Sequence, residues 1–193
     1  MADSPGWGDV EPNDIGVFVP TWDQGRVDVG NGNEDAAWVH DDLRTTALAL
    51  RRGNQLVVMA TADVYMIFAA DAAEIERRAR ALLPPDLSEI AEIVISATHN
   101  HHGPDTAFSV NDEWYEVLAD QMADAIYDAA TLMEPARLEV VSGDHRFGQS
   151  DGRDPLIVDP RLNVLRVVFD GDGDRTIATV VQWASHPETT LGW

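Results

Sequence analysis

Two short apolar runs constrain the fold of this chain more than anything else in it. Gln55–Ala62 (QLVVMATA) and Glu92–Ala97 (EIVISA) are rich in β-branched residues and lack the strict polar alternation of a half-exposed strand. Runs of this kind read as strands covered on both faces, as in parallel sheets. Between them, Asp71–Leu83 places Ala72, Ile75, Ala79 and Leu82 at helical spacing. It pairs Glu74 with Arg78 and Glu76 with Arg80 at i,i+4, and Pro84–Pro85 stops it. Parallel strands need such a crossover, so strand–helix–strand commits this region to α/β.

The pattern continues with a helix over Asp112–Met133, capped by Asn111 or Asp112. Its apolar stripe is Trp114, Leu118, Met122, Ala125 and Ala129. Arg137–Ser142, Leu162–Phe169 and Thr176–Ala184 then read as strands, the last two joined by a turn at Asp170–Asp174. The expectation is an α/β fold: a mixed β-sheet with flanking helices. The length, 193 residues, suits a single domain over 1–193. Residues 1–39 are rich in Gly, Asp, Asn and Pro, and read as an irregular leader with one short strand near Gly16–Val19.

Composition then removes whole classes of chemistry. A formal charge of −21 repels phosphates and anionic headgroups, so no nucleic-acid partner is expected. The absence of cysteine excludes thiol nucleophiles, disulfides and thiolate metal sites. The absence of lysine excludes a P-loop and Schiff-base catalysis. Val57–Ala70, the longest apolar stretch, is interrupted by Asp63 and is too short for a transmembrane segment of about 18–20 residues. No signal peptide is visible at the start, so a soluble, cytoplasmic protein is the default, with secretion left open. Oligomeric state is not legible.

What remains is chemistry by Asp, Glu, His, Ser, Thr, Tyr, Arg or a metal, and the polar residues fall where it is expected. The first strand ends at Asp63. The second runs into Thr98–His99–Asn100–His101–His102–Gly103–Pro104–Asp105, and the last into Ser185–His186–Pro187–Glu188. Open α/β sheets build sites beyond the carboxyl ends of their strands, so a shared sheet edge would bring His99 and His186 together. Three histidines within four positions after a buried strand are hard to explain by packing alone, and point to metal or acid–base function. His40 and His145, by contrast, read as ordinary hydrogen-bonded groups.

Two patterns are decoys. Asp170–Asp174 imitates an EF-hand opening, but Arg175 stands where the loop needs Gly, and Val181 where it needs Glu. Gly148–Gln149–Ser150–Asp151–Gly152 matches a nucleophile elbow, but Pro155 and Pro160 follow where a helix must start.

The segments SATHNHHGPDT (Ser96–Thr106) and QWASHPETTLG (Gln182–Gly192) resemble the paired histidine motifs of the neutral/alkaline ceramidase family. The order of elements between them agrees, including a D-P-x-x-x-V-L-R strand at Asp159–Arg166. The resemblance runs from about His40 to the last residue. It implies that His99 and His186 bind Zn2+, that His101 orients substrate or stabilises the oxyanion, and that Arg153 positions substrate. Asp63, His102, Asp105 and Glu188 are then the polar groups that support these histidines or meet the substrate. The implied reaction is hydrolysis of an amide in a small or lipid-like N-acyl substrate, by water that the metal activates. The family completes its zinc site with a Glu and a Tyr far downstream, so 1–193 is expected to be the N-terminal part of a larger catalytic domain. Asn100, His102, Asp105 and Thr106 depart from the usual motif and mark a divergent branch. Two other readings stay open: a metal-dependent esterase or other hydrolase of a non-lipid substrate, and a non-catalytic binding module or inactive fragment.

Overall fold

The structure is a computed structural model. It describes residues 42–100, 103, 106, 112–147, 149 and 154–185, together with two short strands, β1 (Val27–Asp28) and β2 (Asp35–Ala36), which pair antiparallel. The strand expected near Gly16–Val19 lies outside these residues. The chain divides after Leu132 into two compact units. The fold is α/β as the patterning predicts, with a mixed sheet, an antiparallel sheet and flanking helices.

The first unit is built on a three-stranded sheet in the order β3 (Thr45–Arg52), β4 (Gln55–Ala62), β5 (Ala91–Ala97). β3 and β4 form a hairpin, Thr45 opposite Ala62 and Arg52 opposite Gln55. Gly53 turns it at φ 60°, a left-handed angle that favours glycine at the first position of a two-residue turn. β4 and β5 run parallel, from Leu56 opposite Ala91 to Ala62 opposite Ala97. Sequence reading overlooked β3, whose TTALALRR has too few bulky residues to stand out. β5 also corrects an expectation. Among the described residues it pairs with β4 alone, and its side chains alternate between half-buried and exposed, with Val94 51 % exposed rather than buried.

The crossover is α1 (Ala69–Leu82), followed by a single turn, α2 (Pro85–Ser88). The Asp71 carboxylate accepts the Phe68 N–H at 3.3 Å, closing the first turn from inside. Ile75 and Ala79 are buried, but the helix ends at Leu82 and the extended Leu83, not Leu82, turns inward. Both expected ion pairs form, and each reaches further. Arg80 binds Glu76 and also donates to the Ser88 and Ala91 carbonyls, fastening the entry to β5. Arg78 binds Glu74 and then Glu116 and Asp120 of α3 (Asp112–Thr131), each at 2.8 Å.

Leu118, Met122, Ile126 and Ala130 form the buried stripe of α3, with Ala119 and Ala123 beside them. The stripe is therefore rotated from the one expected through Ala125 and Ala129, because α3 packs against α1, β3 and β4 together. Leu56, Val58, Ala60 and Ala62 of β4 are buried in the same core. Each fully buried Leu, Ile, Val or Met contributes on the order of 1.5–3 kcal/mol.

The second unit is an antiparallel sheet in the order β6 (Ala136–Asp144), β7 (Arg161–Phe169), β8 (Thr176–Trp183). Gly173 at φ 90° helps turn β7 into β8, so the Asp170–Asp174 stretch is a hairpin connection as read. A polar row crosses the sheet where Arg166 donates to Glu139 and to Thr176. Val167 and Val168 are buried, while all nine residues of β6 are exposed.

Candidate functional site

The parallel ladder continues beyond its last strand pair. Thr98 N–H donates to the Ala62 carbonyl at 3.0 Å, and Asn100 N–H to the Val64 carbonyl at 3.2 Å. Residues 98–100 thus follow residues 62–65 out of the sheet. Between the two bonded residues, His99 takes φ 63°. This is the left-handed region, which costs a non-glycine residue on the order of 1–2 kcal/mol and persists only where the surroundings enforce it. Here hydrogen bonds on both sides enforce it.

The turned backbone lays the imidazole on Tyr65. The rings stack with centroids 4.8 Å apart and an interplanar angle of 21°. His99 Nδ1 lies 2.8 Å from the Tyr65 carbonyl oxygen. A carbonyl can only accept, so Nδ1 carries the proton, and whenever the ring is neutral its lone pair lies on Nε2. Metal-binding histidines have this arrangement, one nitrogen donating to an oxygen and the other directed at the metal. His99 therefore fits a zinc ligand on its own geometry.

Gly103 and Thr106 of the motif are pinned near the same strand end. Gly103 is buried, and a Cβ added there would meet Leu43 Cδ1 at 3.1 Å and the Asp63 carbonyl oxygen at 3.6 Å. Thr106, only 2 % exposed, accepts the Met66 N–H on Oγ1 at 2.9 Å. Asp63 itself holds the strands in place. Its N–H donates to the Arg44 carbonyl at 2.9 Å, and its carboxylate accepts the Arg44 N–H at 3.3 Å.

Of the site residues expected from sequence, the structure thus brings Asp63 and His99 to adjacent strand ends. His101, His102, Asp105, Arg153, His186 and Glu188 lie outside the described residues, as does Ser150 of the elbow-like pattern. Among the described residues, no three His, Asp or Glu side chains gather into a metal cluster. Among the described residues β5 and β8 belong to different sheets, and no common sheet edge joins them. Sequence reasoning passed over Tyr65 and Thr106. Their signal was weak: an aromatic two residues beyond a strand-end Asp, and a Thr in a Gly/Pro segment with no helix to cap.

No family model matches the chain, and no curated protein does. Among solved structures, a ceramidase complexed with C2 matches it with a TM-score of 0.51 and 20 % sequence identity. The match covers 66 % of this chain and 23 % of that one. The fold is ceramidase-like. At this identity the likeness is one of architecture, and this chain spans less than a quarter of the ceramidase's length. No helix among the described residues is long and apolar enough to cross a membrane.

Proposed function

We propose that this chain carries part of a zinc-dependent hydrolase centre that cleaves the amide of an N-acyl, lipid-like substrate. The observation that carries the reading is His99. A histidine is held in a strained backbone at the end of the β4–β5 parallel ladder, with Nδ1–H committed to a carbonyl, in a ceramidase-like fold. Strain of this kind, when the surroundings enforce it, clusters at functional positions.

In this reading His99 and His186 hold the zinc. His101 donates to the oxygen that gains charge as the amide is attacked, and Arg153 orients the acyl carbonyl. Asp63 keeps the strand ends in register, while His102, Asp105 and Glu188 hydrogen-bond the ligand histidines or the substrate. Bound zinc supplies a Lewis acid and lowers the pKa of water toward about 7. Residues 1–193 act within one catalytic domain.

Metal content and amide hydrolysis test this together. After dialysis the complete catalytic domain, downstream ligands included, is expected to retain zinc. His99→Ala and His186→Ala each lose it, and hydrolysis of N-acyl amides falls by more than about a thousandfold in either variant. A wild-type protein without zinc, or a His99→Ala variant that retains as much, rejects the reading. Turnover of acyl esters with no turnover of amides reassigns the bond but keeps the metal.

A further inference from the structure

His99 cannot aim itself. A left-handed backbone sets the direction of Cβ but leaves the ring free to rotate and to carry its proton on either nitrogen. Both freedoms are removed by one residue. The Tyr65 carbonyl lies 2.8 Å from Nδ1 and settles the tautomer. The Tyr65 ring lies nearly parallel to the imidazole at 4.8 Å and settles its plane. Tyr65 is itself fixed on both sides, since its neighbour Val64 accepts the Asn100 N–H and its neighbour Met66 donates to the buried Thr106 hydroxyl. The segment Val64–Met66 is therefore bonded to the histidine motif at three successive residues.

We propose that Tyr65 is the positioning residue of His99, fixing by its carbonyl which nitrogen carries the proton and by its ring face where the other nitrogen points. Zinc affinity is one consequence, and that part rests on the function proposed above. The tautomer is the other, and it stands without any metal. The ring face is the working element of the side chain, so phenylalanine replaces tyrosine, whereas leucine keeps bulk and loses the face.

The test uses the full chain with 15N-labelled histidine, in alkaline metal-free buffer where imidazoles are neutral, read by the ring-nitrogen chemical shifts of His99. Wild-type protein, Tyr65→Phe and Tyr65→Leu are all expected to show the Nδ1–H tautomer as the dominant form, since the acceptor is backbone. The His99 ring-proton shifts, displaced by the stacked aromatic face in wild type and Tyr65→Phe, move toward the unstacked value in Tyr65→Leu. Zinc titration against a chromophoric chelator then gives about tenfold weaker binding for Tyr65→Leu, and binding within twofold of wild type for Tyr65→Phe. A dominant Nε2–H tautomer in the unmodified protein overturns the proposal, whether or not any variant folds. So does a Tyr65→Leu protein whose His99 ring-proton shifts and zinc affinity match wild type, or a Tyr65→Phe protein that behaves like the leucine variant. Failure of the unmodified protein to bind zinc counts against the hydrolase reading alone, because the tautomer measurement still decides the role of Tyr65.

Discussion

The two units solve the same problem with unequal means. In the first, a sheet is covered by α1 and α3, and Arg78, held by Glu74 of its own helix, staples α1 to α3 through Glu116 and Asp120. In the second, three strands supply nearly everything. Among the described residues, every fully buried apolar side chain except Val167 and Val168 lies before residue 132. The nine residues of β6 are all exposed, with Val140 at 71 % and Val141 at 63 %. Stability follows buried apolar area, so the first unit has its own core, whereas the second leans on backbone ladders and surface pairs such as Arg166–Glu139. The strained histidine sits on the better-supported unit, which can absorb its cost.

The comparison can be broken most directly by cavity substitutions. Ile126→Ala or Met122→Ala is expected to cost about 2–5 kcal/mol in denaturant unfolding, whereas Val141→Ala costs about 0.5 kcal/mol or less. Equal losses would mean that β6 is covered in solution and that the contrast is false.

A smaller effect concerns local opening. Amides of β6 and β8 are expected to exchange with solvent at least about tenfold faster than those of β4 and α3 in native-state hydrogen exchange, a gap of about 1.4 kcal/mol. Uniform protection across both sheets would show that the units unfold as one.

The smallest effect is electrostatic. Hydrogen bonds from Arg77 and Arg78 lower the Glu74 carboxyl from 4.5 to about 2. A depressed carboxylate contributes stability that is fully present above its unfolded pKa and is lost as pH falls through the folded value. The Glu74 share should therefore vanish between about pH 4.5 and 2. Glu74 keeps 35 % of its side-chain surface in solvent, so the melting midpoint of Glu74→Gln should differ from wild type by no more than a few degrees above that window, and salt should shrink the difference. Asp159, lowered to about 2 by Arg161, is the counterpart in the second unit. Replacing it should leave the helix pair untouched.

How legible this was depended on whether the physics is local. Both helices, β4 and the β7–β8 hairpin could be read from the sequence, because periodicity, prolines and Gly-rich turns act within a few residues. β3 was missed since a strand of Ala, Thr and Leu becomes one only by pairing with β4. The exposure of Val94 was missed since strand order is not written in the strand. At the site, strand-end histidines and Asp63 stood out by type and position. Tyr65 did not, because stacking and a carbonyl acceptor are properties of the folded chain and not of residue identity. The pairing of His99 with His186 drew on a shared sheet edge, and the two-sheet topology withdraws that support while leaving the motif itself in place.

The φ of His99 also has a consequence for descent. Glycine and asparagine occupy left-handed backbone more readily than histidine, and one base change converts a histidine codon to an asparagine codon. A lineage that no longer used this ring would drift toward Asn or Gly at position 99, relieving a standing strain as it did so. Histidine here is therefore a residue that only use would maintain. A collection of related sequences could be sorted into working and retired copies by reading this single position.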